Sequence, residues 1–244
     1  SSKRPLPIHK QVHTSLLRDQ QDSMQPSMDA MFDVLEKDYR QRDECHHQPH
    51  ILLADGQQSL WNEMRRRFGH HSNHVEILDL LHAAGYIWDA VSLLTINKCE
   101  QNTFAYDYIE RLLKGKVDDV IIELDLIANS EELTHSQAKK LNSICGYFRN
   151  NVSRMRYDQY LKAGYPIASG VIEGACRHVV KDRMERSGMR WSLIGAEALL
   201  SLRCIDINKE WKSYMSFYMQ QENERLYSMI AANDDSIISM PIAA

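Results

Sequence analysis

The sequence lacks the features that mark several common classes of protein. It has no apolar run near the ~20 residues that a membrane-spanning helix needs, and no apolar segment follows the polar N-terminus to make a signal peptide. Its five cysteines are odd in number and have no Cys-x-x-Cys spacing, which favours a reducing compartment over a disulfide framework. The first residue is not Met, which indicates a fragment or a processed chain.

An excess of basic charge is also missing. The 244 residues carry a net charge of −4 with His counted as neutral, whereas DNA-binding domains usually have a basic surface. Hydrophobic residues at 43% and charged residues at 25% are ordinary values for a soluble chain that buries a core. A role in binding nucleic acid would therefore depend on a local basic patch.

Two short strands are predicted in the first third of the chain. The apolar run 50–54 stops at an Asp-Gly pair, and the run 75–78 stops at Asp79. A helical pattern at 57–68 lies between them, and this order implies a parallel pair joined by a crossover helix. Because two strands do not make a stable sheet alone, we expect their partner strands upstream of this chain or in another chain.

The rest of the chain is predicted to be helical, apart from a connector over Lys3–Met24 and a loose tail after Asn233. No internal repeat is apparent. The helical patterns cover 27–42, 80–98, 103–113, 117–127, 130–161, 171–186, 192–205 and 209–229.

Two acidic residues are candidates for chemistry. Asp55 follows a predicted strand, and the crevice beyond the ends of parallel strands is where functional carboxylates collect. Asp-Gly is also ordinary turn chemistry. Glu173 falls in the first turn of a predicted helix, where an acid also simply complements the helix dipole. Taken alone, each local setting leaves both interpretations open.

A run of cations follows Glu173 on the same segment. Glu173, Arg177 and Lys181 are spaced i, i+4 and i+8, so they share one helix face, which suits a metal site bordered by phosphate contacts. The alternative is a solvated helix laced with i,i+4 ion pairs. The candidate DNA-contacting residues are Arg177, Lys181, Arg183, Arg186 and Arg190.

The histidines offer a further kind of site. Two loops contain residue types that bind zinc, but their spacing matches no standard zinc pattern, and solvated loop histidines are the simpler interpretation. His82, three residues after Asp79, is typical of a core or helix-start residue. The loop residues are Cys45, His46, His47, His50, His70, His71 and His74.

Four segments together resemble the ISKra-type insertion-sequence transposases of bacteria. The resemblance covers most of Ile51–Arg203 and is strongest after Gly164, where the combined Ser-Gly-x-x-Glu and Ser-Gly-Met-Arg-Trp-Ser strings are specific. The segments are LLADGQQSLW (Leu52–Trp61), VEILDLLH (Val75–His82), GYPIASGVIEGACRHVVKDRMERSGMRWS (Gly164–Ser192) and GAEALLSLR (Gly195–Arg203).

The resemblance implies a ribonuclease-H-like core with an Asp-Asp-Glu triad. Asp55 then corresponds to the second Asp and Glu173 to the Glu, while Asp79 and His82 support the site without holding metal. The first Asp is expected on a strand that precedes Lys3, so this chain would contain only part of the core.

The fold class expected from the resemblance is a helix-rich α/β chain, in which a partial ribonuclease-H-like core is interrupted by an all-helical insertion. The expected divisions are a connector with the second part of the core at 1–82 and the insertion at 83–163. The C-terminal helices of the core follow at 164–207, and a helix with a loose tail at 208–244.

The implied activity is cleavage and transfer of DNA strands, with two Mg²⁺ or Mn²⁺ ions held by the three carboxylates. The implied partners are the transposon ends and target DNA, a second copy of the enzyme, and a separate N-terminal segment. The implied location is the bacterial cytoplasm at the nucleoid, with no membrane contact.

Without the first Asp, this chain alone is expected to bind metal weakly and not to cut DNA. The alternative is a non-catalytic transposase-derived module that binds DNA or protein, and a zinc-site protein is a third.

Overall fold

The computed structural model describes residues 8–14, 16, 28–42, 49–69, 73–130, 133–170, 174, 176–185 and 188–234. These residues fall into two compact units. The first contains the described residues between 28 and 174, and the second combines those of 6–27 with those of 175–244. Among the described helices, none has the length and apolar character needed to cross a membrane.

The first unit is helix-rich and contains one small parallel sheet, which confirms the predicted helix-rich α/β character. This unit contains both the strands and the helices that follow them. The divisions expected at 82 and 163 stay predictions. Its elements are α1 (Met28–Arg42), β1 (His50–Ala54), α2 (Gln58–Phe68), β2 (His74–Leu78), α3 (Leu80–Leu94), α4 (Lys98–Leu113), α5 (Val117–Ala128), α6 (His135–Asn151), a 3-10 turn (Val152–Arg154) and α7 (Tyr157–Ala163).

The two strands pair in parallel, as the strand–helix–strand order predicts. The register joins His50 to His74 and runs to Ala54 and Leu78. Burial differs between the strands: Ile77 and Leu78 of β2 are fully buried in the core, whereas most of β1 is only half-buried. The core that covers β2 is built mainly from the inward faces of α3 to α7.

The two outer edges of the sheet differ. Ala54 O accepts a hydrogen bond from Asp79 N at 2.8 Å, and backbone groups alternate in direction along a strand. The backbone groups of Ile51 and Leu53 therefore point away from β2. Among the described residues, no further strand pairs with that side.

Tyrosine hydroxyls cover the other edge, which belongs to β2. The hydroxyl of Tyr160 donates to Glu76 O at 3.2 Å, and that of Tyr157 donates to Leu78 O at 3.0 Å. Burial raises the pKa of both phenols, so they remain protonated donors. Two side chains thus satisfy carbonyls that a neighbouring strand would otherwise bind.

The helix predicted over 130–161 is divided in the structure. A capping box between Thr134 and Gln137 begins α6, which ends at Asn151 and is followed by the 3-10 turn and by α7. The turn brings Arg154 towards β2, where its Nε lies 2.7 Å from Glu76 Oε2. A contact distant in sequence therefore overrides the local helical pattern.

The second unit contains a π-helical turn (Arg177–Lys181), a short α-helical turn (Asp182–Met184), α8 (Leu193–Ile207) and α9 (Trp211–Asp234). Part of the predicted connector packs here. Val12 N donates to Asn208 Oδ1 at 2.8 Å, and Asn208 Nδ2 donates back to Val12 O at 3.1 Å. The side chains of Val12 and Leu16 also pack on the buried residues Val179, Leu200 and Cys204.

Candidate active site

Two aspartates lie side by side where the parallel strands end. Asp55 directly follows β1 and Asp79 directly follows β2. Because Ala54 is paired with Leu78, the next residue of each strand lies at the same edge of the sheet. This is the crevice position in which open parallel sheets place functional groups.

The carboxylate of Asp79 is buried and fully engaged. Its side chain caps α3, since Oδ1 accepts from Leu81 N at 3.0 Å. The same oxygen accepts from Ser169 N at 3.1 Å, and Oδ2 accepts from the Ser169 hydroxyl. A backbone hydrogen bond from Leu80 N to Ile167 O, at 2.9 Å, lies alongside. These hydrogen bonds therefore hold Ile167 and Ser169 next to the end of β2.

The carboxylate of Asp55 is exposed. Its Oδ1 accepts one hydrogen bond, from Gln57 N at 3.1 Å, which is the turn interaction expected of an Asp-Gly pair. Within the part of the chain that the structure describes, no other group bonds to this carboxylate. Asp55 thus combines ordinary turn geometry with oxygen lone pairs left open to solvent.

Tyr147 of α6 supports the turn after β1, and the sequence gives no local sign of this. Its hydroxyl donates to the carbonyl oxygen of Asp55 at 2.7 Å. Gly56 has φ of +92°, and a Cβ there would lie 2.6 Å from the Tyr147 hydroxyl oxygen. The glycine is needed both for its backbone conformation and for this close approach.

Aromatic rings line the space next to the two aspartates. The rings of Tyr86 and Tyr147 are stacked with centroids 4.1 Å apart, and exposed His82 packs edge-on to Tyr86 at 5.3 Å. Burial raises the pKa of Tyr147, and the neighbouring Tyr86 and the charge of Asp55 add to the shift. Tyr147 therefore stays a hydrogen-bond donor, while His82 lies at the exposed end of the aromatic group.

Of the proposed catalytic and DNA-contacting residues, Glu173 and Arg186 lie outside the described residues. The other four candidate cations, which are Arg177, Lys181, Arg183 and Arg190, are exposed. None of these four has an ion-pair partner among the described residues.

The first two of these cations lie on the π-helical turn, a form of helix that occurs often at functional sites. Arg203 of α8 stabilises this turn, because its Nε donates to Val179 O at 3.1 Å and its Nη2 to His178 O at 2.5 Å. The Nδ1 atom of His178 also lies 3.1 Å from Asp182 Oδ2 on the same segment. Because Glu173 lies outside the described residues, both interpretations of this segment stay predictions.

No group of three or more His, Cys, Asp or Glu side chains suited to a metal occurs among the described residues. Most residues of the two histidine loops lie outside that part of the chain. Of the two described ones, His50 has its Nδ1 2.7 Å from the Tyr39 hydroxyl, and His74 is its partner in the strand register.

Comparisons of this chain with protein-family models, with curated proteins and with solved structures gave no match. The resemblance to insertion-sequence transposases thus rests on the sequence segments quoted above. The ribonuclease-H-like core and the DNA chemistry are accordingly proposals.

Proposed function

We propose that this chain supplies the second aspartate and the glutamate of a ribonuclease-H-like metal site. The parent enzyme would be a transposase that cuts and transfers the DNA strands of an insertion sequence. One observation carries the proposal: an open carboxylate, Asp55, lies at the end of a parallel strand, next to a second aspartate that is fully engaged in hydrogen bonds. An ordinary Asp-Gly turn explains the hydrogen bond from Gln57 N to Asp55. It does not explain why an exposed carboxylate lies beside a carboxylate that is buried and hydrogen-bonded.

The two aspartates have different roles in this proposal. Asp55 holds metal together with Glu173. Asp79 is a positioning residue, because it anchors Ser169, four residues before Glu173 in the sequence. His82 borders the site from the first turn of α3. These assignments agree with the roles that the family resemblance implies.

The donor set fits a hard divalent cation. Carboxylate oxygens are the ligands that Mg²⁺ and Mn²⁺ prefer. When bound, the ions supply an activated water or DNA hydroxyl and stabilise the leaving oxygen. The open oxygens of Asp55 can accept a cation without breaking an internal hydrogen bond other than that of Gln57 N. The first aspartate, expected from a segment upstream of Lys3, would complete the set.

Metal binding by the full chain tests this assignment. We expect weak Mn²⁺ binding, measured by electron paramagnetic resonance, to fall at least severalfold in Asp55→Ala and in Glu173→Ala. The matched control is Asp119→Ala, which removes an exposed aspartate of α5. Equal binding in all four proteins would refute the assignment. Mg²⁺-dependent nicking of plasmid DNA by the chain alone, lost in Asp55→Ala, would show that another acid completes the site.

The second candidate function is a non-catalytic module that binds DNA. The observation in its favour is the set of four exposed cations without a described ion-pair partner. Lys and Arg that neutralise phosphates release counterions, so such binding weakens steeply with salt. This function needs neither Asp55 nor Glu173.

Fluorescence anisotropy with a labelled DNA duplex distinguishes the two functions. Under both, Arg177→Ala combined with Lys181→Ala lowers the affinity and the salt dependence, while the control pair Lys139→Ala with Lys140→Ala on α6 leaves them unchanged. If Mg²⁺ strengthens DNA binding and Asp55→Ala abolishes that gain, the metal-site proposal is favoured. DNA binding indifferent to Mg²⁺ and to Asp55→Ala favours the module.

A further inference from the structure

A cavity of about 650 Å³ opens beside the first half of β2. It lies next to His74, Val75 and Glu76, whereas Asp79 follows the other end of the same strand. The chain segment around α7 forms the opposite wall. The cavity is therefore separate from the carboxylate edge of the sheet, and Asp55 is not among the residues that line it.

Two arginines are fixed in the wall by one carboxylate. Arg65 binds Glu76 with both Nε and Nη2, at 2.5 and 2.7 Å, and Arg154 Nε binds the second oxygen at 2.7 Å. Arg154 also packs on Trp61, since its guanidinium carbon lies 4.4 Å from the centre of the Trp61 ring. Two guanidinium groups share one negative charge, which leaves the cluster with one net positive charge.

The charge on Glu76 persists over a wide pH range. Burial alone would raise the pKa of this carboxyl, but the hydrogen bonds from Arg65 and Arg154 outweigh it, and the pKa is lowered. Since the carboxylate stays ionised, it keeps both guanidinium groups in place before any ligand arrives. The cationic wall is thus preorganised.

Arg156 adds a cation that is not engaged elsewhere. It is exposed at the cavity, and no ion pair to it is found in the described ranges. Tyr165 and Gln159 line the same cavity, and no side-chain hydrogen bond of either residue is found among the described residues. Three arginines and one glutamate give the cavity a net charge of about +2, with spare hydrogen-bond donors.

We propose that this cavity binds a phosphate-bearing ligand of about the size of a nucleotide. Arginine is suited to phosphate because its planar guanidinium presents paired donors to phosphate oxygens. The volume falls in the range of ~300–1,000 Å³ typical of small-molecule sites, far more than one phosphate group requires. The ligand comes from one of two sources, a free nucleotide or a nucleotide unit of a nucleic acid, and both present the same phosphate chemistry.

Titration of the full chain with ATP, by isothermal calorimetry at low salt, tests the site. The test variant is Arg156→Gln, an exposed position where loss of folding is not expected. The matched control is Lys140→Gln on α6, exposed and eleven residues before the end of that helix. We expect about tenfold weaker ATP binding in Arg156→Gln, the loss typical of one charge-assisted hydrogen bond, and no change in Lys140→Gln. Tyr165→Phe should give a smaller loss.

A parallel titration with a labelled single-stranded oligonucleotide identifies the source of the phosphate. If Arg156→Gln weakens oligonucleotide binding and ATP does not compete, the ligand is a nucleic acid. If ATP binds and Arg156→Gln weakens it, the ligand is a free nucleotide. The proposal is overturned if neither probe binds, or if Arg156→Gln and Lys140→Gln bind both probes as the unchanged chain does.

Discussion

Asp55 and Asp79 occupy matching positions on neighbouring strands, yet their surroundings are opposite. Asp79 is 5% exposed, and its carboxylate accepts three hydrogen bonds, two from backbone amides and one from a hydroxyl. The carboxylate of Asp55 is exposed and accepts one. The difference arises from what lies at each strand end. Asp79 caps α3 and binds Ser169, whereas a turn follows Asp55.

This contrast shows that a position at a strand end does not by itself decide what an acid does. A buried carboxylate whose lone pairs are taken up by amides stabilises the fold. An exposed carboxylate beside it keeps most of its lone pairs open to solvent. Measurements of stability in variants of each position test whether the two aspartates differ in this way.

Removal of the buried carboxylate should have the largest effect. In Asp79→Ala the amides of Leu81 and Ser169 lose their acceptor inside the protein, and a cap of α3 is lost. We expect a loss of about 3 kcal/mol in the free energy of unfolding, measured by urea denaturation followed by tryptophan fluorescence. Asp79→Asn keeps one acceptor oxygen and should lose less. A loss below about 1 kcal/mol in Asp79→Ala would contradict the architectural role.

A change at the turn next to Asp55 should have an intermediate effect. Gly56→Ala places a Cβ at positive φ and 2.6 Å from the Tyr147 hydroxyl oxygen, which should cost about 2 kcal/mol in the same assay. Tyr147→Phe removes the crowding oxygen. The losses of stability in the two single variants should therefore add up to more than the loss in the double variant. Simple additivity would show that the contact with Tyr147 does not contribute.

Removal of the exposed carboxylate should have the smallest effect on stability. Asp55→Asn retains an oxygen that can accept from Gln57 N, so we expect a change below about 0.5 kcal/mol. Differential scanning fluorimetry with and without Mn²⁺ measures stabilisation by the ion, and any such stabilisation should disappear in Asp55→Asn. A destabilisation as large as that of Asp79→Ala would mean that both acids are architectural.

The strands and the bounds of α1, α2, α5 and α8 could be predicted to within two residues because their signals are local. The predicted helix 80–98 was wrong at its end, since α3 ends at Leu94, and the predicted helix 103–113 was wrong at its start, since α4 begins at Lys98. The apolar runs before Asp55 and Asp79 mark β1 and β2, and the pattern of α3 to α5 repeats at helical spacing. The interactions that define the site join residues far apart in sequence. Tyr147 and Asp55 are separated by 92 positions, and Ser169 and Asp79 by 90. Nothing in the local sequence of either partner indicates such a contact.

The break after α6 escaped prediction for the same reason. Arg154 binds Glu76 across 78 positions, and the chain leaves the helical path to make this pair. The roles of Asp55 and Glu173 were predicted only through the family resemblance, because turn chemistry and the helix dipole explain each acid equally well in isolation.

The tyrosine hydroxyls that bind the carbonyls of β2 leave only one side of the two-stranded sheet to which a further strand could be added. Tyr157 and Tyr160 occupy the places where a further strand would bind β2, so extension from that side is blocked. The side of β1 that presents Ile51 and Leu53 is the one at which a strand can be added. Any strand that joins there, from this polypeptide or from another, ends or begins beside Asp55. Under the proposed function, the addition of such a strand and the completion of the carboxylate site would be a single event.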